Sequence, residues 1–271
     1  VTEYARPREF IALAAFLMAT IAFAIDMMLP AMGQMAIDLE LSEPARISWV
    51  ILGIFAGLIF GQLVFGPLSD AIGRRGSIQI GIAIFLIGTG VCALTDSFEV
   101  LIAGRVLQGF GGAATRIVTQ AMVRDRFAGR EMARVMSFVM TIFILVPIFA
   151  PMIGQAVLWF GNWQMLFVTL GGFSAIILGW FSLRQPETLT HRRTITVSHL
   201  SEALRTVLTN EQSLRFTLAT GVSFGGLVSY LSSAQHIFQD IYQTGEWFPV
   251  LFGSTAASIA ISSLVNANYV R

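Results

Sequence analysis

The chain has 271 residues, of which 55% are hydrophobic and only 12% charged, and its mean hydropathy is +0.72. A soluble domain carries about twice that share of charge, roughly 25%, so a water-soluble enzyme, a disordered chain and a nucleic-acid-binding protein are excluded. The formal net charge is +1, which gives no global field toward an acidic partner; what remains is an integral membrane protein.

A helix needs about 20 apolar residues to cross a hydrocarbon core of roughly 30 Å. On that criterion the sequence predicts spans near 10–36, 47–68, 76–95, 100–123, 135–160, 164–183, 214–238 and 247–268. The runs are too long for barrel strands and lack their alternation, so the expected class is all-α and polytopic. The first run does not read as a cleavable signal peptide, because Asp26 and Pro30 stand where a small-residue cleavage site is expected. Cys92 is the single cysteine, so no internal disulfide is expected.

All 17 positive charges are arginines. Fourteen of them fall before the first span, in or beside alternate loops, or at the chain end, and the opposite loops hold only Arg46. By the positive-inside rule both ends of this chain face the cytoplasm. The polar stretch 184–213 carries Pro186, His191, Arg192 and Arg193, and within it Val197, Leu200, Leu204, Val207 and Leu208 recur at helical spacing. That pattern predicts a short amphipathic helix on the membrane surface. The expected organisation is therefore a six-helix bundle over 1–183, a linker over 184–213 and two further helices over 214–271.

Ionisable groups within membrane spans are functional candidates. Asp26 lies toward the outer side of the first span, and Arg105 near the outer start of the fourth, at a similar depth. The expectation is an Asp26–Arg105 pair, direct or through water. An apolar surround disfavours a charged carboxylate while a neighbouring arginine favours it, so a site alternating between the two environments loads and releases a proton. Arg116 follows Arg105 by eleven residues, close to three turns, and either lines the same cavity or snorkels to headgroups. Gln108 extends the polar face of that helix.

Gly53, Gly57 and Gly61 recur every four residues on the second span, with Gly109, Gly111 and Gly112 on the fourth, a pattern of close helix packing. Ser223, Gly226, Ser229, Tyr230 and Ser233 make a stripe on the seventh span that either faces a cavity or packs. Met27 and Met28 give the first span a pliable flank, suited to varied ligands or to filling a core. No spacing of His, Cys, Asp or Glu suggests a metal site, and His236 stands alone, so a membrane-embedded enzyme is not expected.

Between the second and third spans the sequence reads Gly66-Pro67-Leu68-Ser69-Asp70-Ala71-Ile72-Gly73-Arg74-Arg75. Gly66 and Pro67 are expected to end a helix, Gly73 to allow a tight turn, and Arg74 and Arg75 to hold the loop inside. This G-x-L-x-D-x-x-G-R-R string resembles the hallmark loop of the major facilitator superfamily. Arg105-Val106-Leu107-Gln108-Gly109 resembles the R-x-x-Q-G motif of its drug/proton antiporters, and implies a role for Arg105 in proton coupling. Pro147, followed by Ala150-Pro151-Met152-Ile153-Gly154, is similar to the antiporter motif of the fifth helix, although Val146, Ala150 and Gln155 replace three of its glycines. Ile25-Asp26-Met27-Met28-Leu29-Pro30-Ala31 resembles a segment of bicyclomycin- and chloramphenicol-resistance exporters, with Met28 in place of a tyrosine.

The resemblance implies a major facilitator fold with a complete first half and an incomplete second, four helices being expected beyond residue 271. It implies proton-coupled export of small amphipathic compounds across a bacterial inner membrane. It implies no cofactor beyond the proton gradient, and as partners only a small-molecule substrate and membrane lipids, with a monomer when complete. A metabolite importer or facilitator of the same fold, or a non-functional truncated fragment, is the alternative.

Overall fold

The computed structural model describes residues 7–190 and 205–269. Its helices are α1 Pro7–Asp26, α2 Met32–Asp38, α3 Trp49–Ile72, α4 Arg74–Leu94, α5 Phe98–Arg126, α6 Gly129–Leu158, α7 Gln164–Arg184, α8 Glu211–Gln235 and α9 Phe248–Tyr269. Helices occupy all eight predicted positions, with α1 and α2 sharing the first, and no strand occurs among the described residues. Among the described residues, five segments are long and apolar enough to cross a membrane: Arg8–Asp38, Ala45–Ile72, Arg74–Leu94, Gly129–Leu158 and Gln164–Arg184. Helix α5 falls outside that criterion because it carries Arg105 and Arg116 among many glycines, and α8 because it is rich in Ser, Thr and Gly. Most of the expected amphipathic linker helix lies outside the described residues; 205–209 are helical.

Helix α5 is the axis of the bundle. It packs along α3 on one side and α4 on the other, while α1 packs on α6 and α4 on α7. The small residues of α5 permit this: a Cβ on Gly109 would run into the Ile54 carbonyl of α3, and one on Gly57 into the Val106 carbonyl of α5. Without a hydrophobic drive between helices in lipid, such close backbone approach supplies the association energy. Of the second group, α8 leans on α3 and α9 on α6. Much of α8 remains exposed, including Phe216, Leu218 and Val222.

Two expectations about helix ends are corrected. The first span is not one helix: α1 stops at Asp26, a 3-10 turn covers Leu29–Ala31, and α2 begins at Met32. Pro30 has no N–H to bond the Asp26 carbonyl four residues back, so the α-helical ladder cannot continue there. Conversely, Gly66 and Pro67 do not end a helix. α3 runs through Pro67 to Ile72, losing one backbone bond, while Ser69 Oγ donates to the Gly66 carbonyl at 2.8 Å. The turn is a single residue, Gly73, at φ +106°, a conformation that side-chain-bearing residues rarely adopt.

Replacing Gly109 by Val is expected to wedge α3 from α5. Gly90→Val on α4, where a Cβ meets nothing within 4 Å, serves as the matched control. Size-exclusion profiles in mild detergent should show aggregation for Gly109→Val and a monodisperse peak for Gly90→Val.

Candidate substrate and proton site

Arg105 is fully buried at the centre of the bundle, 0% exposed. Its Nε donates to the Val50 carbonyl at 3.0 Å. Nη1 and Nη2 both donate to the Ala24 carbonyl at 3.0 Å, and Nη1 also donates to Gln108 Oε1 at 2.6 Å. The Gln108 amide passes the connection on, donating to Thr89 Oγ1 at 2.8 Å, and that hydroxyl donates to the Phe85 carbonyl at 2.7 Å. The Phe167 ring lies 5.7 Å from the guanidinium carbon. Ala24 is two residues from the end of α1, so its carbonyl is among those a helix terminus leaves without an intrahelical partner. The arginine thus caps the negative end of a helix with a fixed cation.

The direct Asp26–Arg105 ion pair expected from the sequence does not form. Every donor of Arg105 that is engaged points at a carbonyl or at Gln108, and the ion pairs among the described residues do not include Asp26. The two groups do share a depth, since Arg105 grips the backbone two residues before Asp26. Asp26 is 3% exposed and has no hydrogen-bond or ion-pair partner among the described residues.

What Asp26 faces is a cavity of about 250 Å³. Ile21 and Ile25 of α1, Phe55 and Leu58 of α3, and Phe143 and Pro147 of α6 form one wall. Phe224 and Tyr230 of α8, with Phe252 and Thr255 of α9, form the other. Arg116 lines the same space. The Tyr230 and Thr255 hydroxyls are 2.8 Å apart and satisfy each other, and the Tyr230 ring stacks on Phe252 at 5.9 Å. A wider recess of about 640 Å³ opens at the end of the bundle near Glu40 and His236, between α2 and α8, and includes no buried charge.

Of the other candidate residues, Met27 and Met28 are buried in the core and Gln108 belongs to the Arg105 network; none of the three lines the cavity. Ser229 is exposed and lies outside it. Pro151 and Gly154 are buried within α6, where a Cβ on Gly154 would strike the Met27 carbonyl at the break of the first span. The aromatic lining was not foreseen, because Phe at helical spacing in an apolar run carries no sign of which face looks inward.

A second polar cluster occupies the arginine-rich end. The Arg74 guanidinium donates to Asp125 Oδ2 at 2.9 Å, to Ser69 Oγ at 2.8 Å and to Asp70. Arg75 donates to the Ser182 carbonyl at 2.6 Å. Sequence reasoning missed Glu187, whose carboxylate accepts from the backbone N–H of Arg74 at 2.9 Å and of Arg75 at 3.2 Å, and from its own neighbours Thr188 and Leu189. A carboxylate at a helix N-terminus satisfies orphan donors and meets the positive end of the dipole. The only available signal is Pro186, which stops α7 and turns the chain back. Nearby, Glu9 of α1 accepts from Arg184 Nε at 2.8 Å and Trp180 Nε1 at 3.1 Å of α7.

With this geometry in hand, the comparisons with known proteins fall into one class. Residues 11–271 match the family model of the Major Facilitator Superfamily, and the chain belongs to that family of membrane transporters. It is 33% identical to the uncharacterized MFS-type transporter YdgK of Bacillus subtilis over 89% of this chain and 61% of that one. It is 28% identical to a bicyclomycin resistance protein homolog of Haemophilus influenzae, covering 92% of this chain and 63% of the relative. The multidrug resistance protein MdtL of Escherichia coli is 26% identical over 88% of this chain and 61% of its own length. The chain therefore spans about three fifths of these relatives. Among solved structures, the D-xylose-proton symporter superposes with a TM-score of 0.66 at 14% identity, covering 96% of this chain and 68% of that one. The human organic anion transporter MFSD10 gives 0.63 at 17% identity, covering 93% and 71%. The chain is thus a multi-pass membrane segment of a transporter family, helical throughout its described residues apart from short turns.

Arg105→Lys is expected to lower stability by about 3 kcal/mol, because an ammonium cannot reproduce a planar fork shared among two carbonyls and an amide. Thermal melts in detergent would contradict this if Arg105→Lys matched the parent. Glu187→Ala removes a cap worth about 1 kcal/mol, and Glu187→Gln, which keeps acceptor oxygen, should lose less in the same assay.

Proposed function

We propose that this chain comprises the first six-helix half (1–183), the linker (184–213) and the opening helix pair (214–271) of a proton-coupled exporter of small amphipathic compounds. The proposed setting is a bacterial inner membrane, with the N-terminus cytoplasmic and four further helices completing the second half. The single observation that carries this reading is Asp26: a buried carboxylate without a partner, on the wall of an aromatic cavity shared by α1, α3, α5, α6 and the pair α8–α9. The names of the relatives, a bicyclomycin resistance protein homolog and a multidrug resistance protein, point the same way.

In this mechanism the six-helix bundle rocks against the second half around the cavity. Asp26 accepts a proton when the cavity opens outward and gives it up when the cavity opens inward. Arg105 ties the end of α1 to α3 and α5 through the Ala24 and Val50 carbonyls, so these helices move as one body. The proton step is thereby coupled to the backbone around the Pro30 break rather than to a side-chain ion pair.

The test uses everted vesicles carrying the product of the whole reading frame. Proton-driven uptake of radiolabelled chloramphenicol is expected in the parent, and Asp26→Asn should reduce it to the level of empty vesicles. Exchange of chloramphenicol without a proton gradient should survive in that variant. Undiminished proton-driven uptake by Asp26→Asn would overturn the reading.

A further inference from the structure

Among the described residues lining the cavity, the charged groups are Asp26 and Arg116. Ile21 of α1 packs against Gly112 of α5, which fixes the relative height of the two antiparallel helices. From that level Asp26 is five residues on along α1, and Arg116 four residues on along α5 in the opposite direction. At about 1.5 Å of rise per residue, their backbones stand roughly 14 Å apart along the bundle axis. Between them the lining is Phe55, Phe143, Phe224 and Phe252, and the hydroxyls of Tyr230 and Thr255 are engaged with each other. Arg116 has no hydrogen-bond or ion-pair partner among the described residues, and neither has Asp26. A carboxylate at one end and a guanidinium at the other are thus the charged groups that the described lining residues leave to meet a ligand.

We infer that Arg116 is the specificity-determining residue of this cavity, which takes elongated aromatic compounds bearing a cationic or donor group at one end and a carboxylate or strong acceptor at the other. This rests on the reading of the cavity as the substrate site. An ionised Asp26 and Arg116 sum to no net charge, so an aromatic zwitterion is compensated at both ends. A permanent lipophilic monocation without acceptors meets Asp26 but leaves Arg116 unpaired, and like charge in an apolar surround acts against it. Arg116 also offers a planar fork of donors matched to a carboxylate, which a lysine does not.

Equilibrium binding tests this without a proton gradient. The purified product of the whole reading frame, in detergent, is titrated with norfloxacin as the zwitterionic aromatic probe and tetraphenylphosphonium as the monocation. The parent is expected to bind norfloxacin at least about tenfold more tightly. Arg116→Gln should weaken norfloxacin about tenfold or more and strengthen tetraphenylphosphonium, reversing the preference, while Arg116→Lys keeps its sign. Monodisperse elution of both variants, and the opposite movements of the two affinities, separate lost recognition from lost folding. Equal affinities in the parent, a ratio unmoved by Arg116→Gln, or no saturable binding of either compound would overturn the inference. Failure of the exporter reading shows elsewhere, in proton-driven transport that ignores Asp26→Asn while the binding preference stands.

Discussion

The structure depends on how one cation is kept in an apolar bundle. Arg105 pairs with no carboxylate among the described residues; it is solvated by the Ala24 and Val50 carbonyls and by Gln108. Isolated charges in a low-dielectric interior cost several kcal/mol, and backbone dipoles at a helix terminus offset that cost without introducing a second charge. The arrangement requires a helix that ends in the middle of the bundle, and Pro30 supplies one by withholding the bond to the Asp26 carbonyl. The broken first span, the buried arginine and the partnerless carboxylate at the break are therefore one feature.

From that feature follows a separation of tasks along α5. Its first turns, with Arg105 and Gln108, are locked into the core and hold α1, α3 and α4 together. Its later turns carry Arg116 to the cavity. The small residues between them let α3 and α4 approach closely on both sides. A helix rich in glycine and alanine, with Arg105 and Arg116 within its apolar run, would be a poor membrane span alone, and its stability comes from burial among its neighbours.

The arginine-rich end repeats the same physics with the signs exchanged. There the fixed charge is an anion, Glu187, placed on the positive end of α4, while Arg74 is shared between Asp70, Asp125 and Ser69. Because Glu187 lies just past α7, the segment that follows α7 is bound beside the one-residue turn at Gly73.

The sequence by itself determined the class of protein, the approximate position of its eight helical segments, and the family, because about 20 apolar residues per span and the arginine distribution are local or additive signals. It also singled out Asp26, Arg105, Arg116 and the Gly66–Arg75 string, since charge in an apolar run is conspicuous. Only the tertiary structure decided which of these meet. It turned Arg105 from Asp26 toward carbonyls, gave Arg116 to the cavity, withdrew Met27, Met28 and Gln108 from it, and brought Glu187 back onto α4 across more than a hundred residues of chain. The reason is that backbone carbonyls and helix ends carry charge that no residue letter records. Where a helix stops, and what lies against the stopping point, is settled by packing between distant segments.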